Sequence, residues 1–75
     1  MIQEGLLWFD DSKIGISDKV AKAAARYQQK YGHAATVCYV NAEQAHDALA
    51  IQWIRVIPSK TVLPHHFWLG VESKR

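Results

Sequence analysis

The sequence predicts a small α/β (α+β) domain of order β-α-β-(short α)-β-β. It is a mixed four-stranded sheet with one main helix, residues 17–31, on one face. Three observations predict it. The stretch 16–32, ISDKVAKAAARYQQKYG, repeats Val20, Ala24, Tyr27 and Tyr31 at helical spacing, with Lys19, Lys22, Arg26 and Gln29 opposite. Two apolar runs too short for helices, GLLWF at 5–9 and ATVCYV at 35–40, flank it. Two further strand-like runs follow, IQWIRVI at 51–57 and HFWLGVE at 66–72.

The first run is nearly continuous and apolar, which suits a strand covered on both faces. Asp10 to Gly15, DDSKIG, is a polar loop. Ser17 is placed to cap the helix, Asp18 and Lys30 complement its dipole, and Gly32 offers the left-handed turn that ends it. Ala23, Ala24 and Ala25 allow a close approach to a sheet. Strand, helix and strand at this spacing form a βαβ unit, with parallel strands and a right-handed crossover.

Asn41 to Leu49 reads either as a capping-box helix, Asn41 with Gln44 and a side of Ala42, Ala45, Ala48 and Leu49, or as a tight loop. In the third strand Ile51, Trp53, Arg55 and Ile57 share one face, and Pro58 ends it. Val62 and Leu63 are expected to tuck under the next connection. In the fourth strand Phe67, Leu69 and Val71 face one way and His66, Trp68, Gly70 and Glu72 the other. The last two strands are expected to form an antiparallel hairpin.

The 75 residues make one domain, 1–75. A chain this short buries only about 60–65% of its unfolded surface, and dimerisation is a common remedy. Its 49% hydrophobic content supports a real core and argues against disorder. No apolar run approaches the roughly 18–20 residues of a membrane span. Glu4 precedes the first apolar run without any basic stretch, so no signal peptide is read, and Cys38 has no internal disulfide partner. These features point to the cytoplasm. No cofactor is expected, because Gly5, Gly15, Gly32 and Gly70 form no phosphate-binding loop and Cys38 sits in an apolar run with nothing to activate it.

Three surfaces are candidates for function. If the third strand runs parallel to the first two, then Asp10, Asp11, Asn41, Ser59, Lys60, His65 and His66 gather at one rim, where ligands of open α/β sheets bind. If it runs antiparallel, the histidines go to the opposite end. A connection of about nine residues is short for the parallel case. At such a rim Asp10, Asp11 and one of His65 or His66 could hold a divalent metal, with Lys60 as an anion partner, which is the apparatus of a small metal-dependent hydrolase or phosphodiesterase. The structural alternative is that Asp10-Asp11 simply opens a loop. Asp-Asp after an apolar strand resembles receiver domains and haloacid-dehalogenase-type hydrolases. The resemblance covers only those two residues, and a receiver needs roughly five βα units, so no role is carried over.

The helix face of Lys19, Lys22, Arg26 and Lys30 could meet nucleic-acid phosphates without reading sequence, although a net charge of +2 demands no such partner. Its plain reading is a solvated helix face. The third surface is the sheet face away from the helix. Some of Trp8, Trp53, Trp68, Tyr39 and Ile51 are expected there beside Arg55, a composition typical of protein–protein contacts. The alternative is that segments 41–49 and 62–63 cover it. The favoured expectation is a non-catalytic protein-binding or self-assembly module, working as a homodimer or with a protein partner.

Overall fold

A computed structural model describes residues 5–48 and 51–72. The elements are β1 (Leu6–Phe9), α1 (Ile16–Tyr31), β2 (Val37–Asn41), α2 (Ala45–Ala48), β3 (Arg55–Ser59) and β4 (His66–Gly70). They build a mixed four-stranded sheet in the order β1-β4-β2-β3. β2 and β3 are parallel, while β4 runs antiparallel to both β1 and β2. β1, β2 and β3 therefore share one direction.

The expected β3–β4 hairpin does not form: β2 lies between the two strands, and β4 is inserted between β1 and β2. The parallel placement of β3 has a local cause. β3 begins at Arg55 rather than Ile51, so residues 42–54 connect β2 to β3, which meets the dozen or so residues a parallel crossover needs. Asn41 starts that connection as an Asx turn. Its Oδ1 accepts the Glu43 N–H at 3.0 Å, and its carbonyl accepts the Gln44 N–H at 2.9 Å. A single four-residue helical turn follows; the expected contribution of Leu49 lies outside the described residues.

Pro58 lies within β3 instead of ending it, opposite Val40. An edge strand tolerates this. The Arg55 N–H points inward to Thr36 O at 3.2 Å, so by strand alternation position 58 points its missing N–H outward. At α1 the N-cap is Gly15, which offers no side-chain bond, and Ser17 is already helical. Gly32, with φ 80°, closes α1 as expected, its N–H donating to Gln28 O at 2.8 Å.

The core lies on one sheet face. Val20, Ala23 and Tyr27 of α1 and Ala45 and Ala48 of α2 pack against Cys38, Val40, Phe67 and Leu69. Both helices thus lie over the same side. Phe67 and Leu69 each contribute about 1.5–3 kcal/mol by leaving water. Cys38 is buried there, and burial pushes its thiol up to about 12, so it is an unreactive core residue. No described helix is long and apolar enough to cross a membrane.

Candidate functional site

The sheet face opposite the helices carries the alternate side chains: Leu7 and Phe9 on β1, His66 and Trp68 on β4, and Tyr39 on β2. β1 is not covered on both sides, since Leu7 and Phe9 are 58% and 56% exposed. Cross-strand register sets Leu7 opposite Trp68 and Phe9 opposite His66. Tyr39 is Trp68's neighbour on the other side. The result is one continuous aromatic and aliphatic surface.

The β3–β4 loop turns this surface into a groove of about 670 Å³. Leu7, Tyr39, His66 and Trp68 form its floor, and Ser59, Thr61, Val62 and Leu63 form its wall. Asn41 Nδ2 holds the loop by donating to Val62 O at 2.9 Å. Ser59 Oγ lies 2.8 Å from Thr61 Oγ1 and accepts the Thr61 N–H at 3.2 Å. The loop ends in a turn with Pro64 second and His65 third, closed by His66 N–H to Leu63 O at 3.1 Å. His65 has φ 65°, the left-handed geometry that the third position of a type II turn requires and that costs a non-glycine residue about 1–2 kcal/mol. Val62 is half-buried, but Leu63 does not tuck beneath the connection: it is 66% exposed and stands at the groove's edge.

His66 is fixed from two sides. Its Nδ1 lies 2.9 Å from Pro64 O, and a carbonyl only accepts, so Nδ1 is the donor of this contact. The Phe9 ring packs on the imidazole at 4.9 Å and 49°. Trp68 is fixed by shape, its six-membered ring lying against Gly5 where a side chain would have no room.

Other candidates for this face stand elsewhere. Trp8 lies on the helix side, packed against the core, with a buried Nε1 that has no hydrogen-bond partner among the described residues. Trp53 is exposed, but it precedes β3 in a bend and is no cross-strand neighbour of Trp68. Ile51 is likewise outside β3 and packs against the core. Arg55 is on the open face and is committed to an ion pair with Glu72 at 2.7 Å that crosses β2. With side chains 65% and 36% exposed, that pair contributes only about 0.2–1 kcal/mol.

The parallel β3 does bring the rim segments to one sheet end. Asp10 N–H donates to His65 O at 2.9 Å, and His65 N–H donates to Gln44 Oε1 at 2.7 Å. Asp10 Oδ1 accepts the Ser12 N–H at 2.9 Å, making Asp10 the loop opener. A bond from the Ser12 side chain, then one from its backbone, holds the Asp10 carboxyl below its ordinary range, with smaller help from Lys19 and Lys22. Asp11 and Lys60 are exposed. Among the described residues no three His, Cys, Asp or Glu side chains converge as a metal-ligand set. Asn41 holds the β3–β4 loop, and His65 lies in the turn just before β4 while His66 opens the strand.

The basic helix face is smaller than expected. Lys19 is buried, only 8% exposed, and leaves Lys22, Arg26 and Lys30 in solvent. Arg26 donates weakly to Gln29 Oε1 at 3.4 Å, and Lys30 Nζ lies 5.4 Å from the Tyr31 ring centre.

Leu7, Phe9 and the wall residues Thr61, Val62 and Leu63 are the part of this site that sequence reading does not find. The run GLLWF has no apolar–polar alternation, so nothing in it marks which side chains face water. Exposed apolar residues at the tip of a connection carry no periodic signal at all. No protein-family model, curated protein or solved structure matches the chain.

Proposed function

We propose that this chain is a non-catalytic self-assembly module whose contact surface is the sheet face away from the helices. One observation carries the reading: Leu7 and Phe9, each more than half exposed, adjoin an apolar groove of about 670 Å³ floored by Tyr39, His66 and Trp68. A small protein gains by covering such a contiguous patch, at about 25 cal/mol for each Å² of apolar surface removed from water. A metal-dependent hydrolase has less support, since no three ligand side chains converge among the described residues. Phosphate binding along α1 has less support because Lys19 is withdrawn from the basic face.

Sedimentation equilibrium from micromolar to millimolar concentration tests the reading. The expected result is a mass that rises with concentration, and a return to the monomer mass in Leu7→Lys with unchanged far-ultraviolet circular dichroism. A strict monomer at the highest concentration overturns it.

A further inference from the structure

The two edges of the sheet are unequal, and the difference specifies how copies meet. β1 and β3 are the outer strands. On β3, Pro58 removes an outward N–H, and Lys60 follows directly after the strand. Both are devices that keep an edge from pairing. β1 reads Leu-Leu-Trp-Phe and has neither.

The hydrogen-bonding parity of β1 follows from one bond. Asp10 N–H points to β4, onto His65 O. In an antiparallel ladder alternate residues point the same way, so Trp8 and Leu6 also bond to β4. Gly5, Leu7 and Phe9 then turn their N–H and C=O groups to the free edge. The Gly5 carbonyl is already occupied, accepting the Tyr31 hydroxyl at 3.1 Å. Among the described residues, the edge that remains open is Leu7 and Phe9, the two residues of β1 whose side chains are also exposed on the open face.

We propose that two copies pair antiparallel through β1, about a two-fold axis at Trp8. This rests on the self-assembly reading above and adds to it the edge, the register and the stopping point. Leu7 of each copy faces Phe9 of the other, and each such pair exchanges both N–H···O bonds. Registers centred elsewhere either call on the Gly5 carbonyl or leave an open group unpaired. A two-fold operation uses the same edge on both copies. It leaves only the two guarded β3 edges at the ends of an eight-stranded sheet, so association stops at the dimer. Both grooves then open on the same side. The acidic pairs Asp10-Asp11 fall at opposite ends of the joint, so like charges do not meet across it.

The test separates edge pairing from face packing. Leu7→Pro deletes one outward N–H while keeping an apolar side chain, and it breaks no bond to β4. The expected result is a monomer with the wild-type circular dichroism spectrum. Amide exchange by nuclear magnetic resonance on the wild-type protein gives the same answer without a variant. Leu7 and Phe9 amides gain protection as concentration rises, while the Trp8 amide is protected throughout. Self-association with freely exchanging Leu7 and Phe9 amides, or a Leu7→Pro dimer, overturns edge pairing and leaves assembly through the face standing. Species larger than two copies overturn the closure. A wild-type monomer at every concentration overturns both.

Discussion

Gly5→Ala tests how tightly the open face is built. An added Cβ would stand 2.6 Å from Leu69 O and 2.8 and 2.9 Å from Cζ2 and Cε2 of Trp68, where ordinary contact begins at 3.4 Å. The ring can swing aside, but the carbonyl cannot do so freely, because Leu69 is paired with both Leu6 and Cys38. Overpacking of this kind costs about 1–3 kcal/mol. Removing a glycine from the unfolded chain returns about 0.4–1 kcal/mol. The net expectation is a loss of about 1–2 kcal/mol, out of the roughly 4–11 kcal/mol that 0.05–0.15 kcal/mol per residue allows. At about 4–8 °C per kcal/mol, the melting temperature falls by roughly 5–15 °C. Urea unfolding followed by circular dichroism measures the stability, and near-ultraviolet ellipticity reports the turning of the Trp68 ring. An unchanged or raised urea midpoint would show that the strand start gives way without cost, and would refute the packing argument.

Two further outcomes follow from the ends of α1 and β1. Gly15→Ser supplies the side-chain cap that α1 lacks, at a position with φ −65°, ψ 157° and nothing within 4 Å of the new Cβ. Thermal unfolding should show a gain of a few tenths of a kcal/mol. Asp10 has a carboxyl held below its usual range in the folded state, so it stabilises the fold above the unfolded value of about 3.9, and that contribution is lost as pH falls through the lower folded value. The stability difference between the wild type and Asp10→Asn, from urea midpoints, should therefore shrink between pH 6 and pH 2.5. A constant difference would count against the Ser12 bonds as its cause.

Much of the architecture is legible in the residues. The Val20–Tyr27 stripe and Gly32 define α1 because helix periodicity and a left-handed stop are local signals. The faces of β4 follow from the alternation of Phe67 and Leu69 with His66 and Trp68. Strand order is another matter: which strands lie side by side is decided by the packing of the whole sheet, and nothing within β4 records that it separates β1 from β2. The site is legible in part. Trp68 and Tyr39 read correctly as open-face residues, whereas Trp8 belongs to the core because its register partner is Phe67, a long-range fact. Ile51–Ile54 have strand-like composition but extend the crossover instead, which lets β3 run parallel. The rim gathers as a parallel β3 requires, with Asp10 and Asn41 engaged in turn and loop bonds, and residue type alone does not distinguish a loop-opening aspartate from a ligand.

The place of β4 sets a timetable for synthesis. It follows the other three described strands in the sequence, yet it lies in the interior of the sheet and is hydrogen-bonded on both flanks. Until β4 is made, β1 has no strand to pair with, and α1 lacks the strand it packs against most. β1 therefore pairs only with a strand far along the sequence, and non-local closure of this kind is slow. Until that closure the greasy segment at 6–9 has both strand edges unpaired, which leaves it open to capture by another copy.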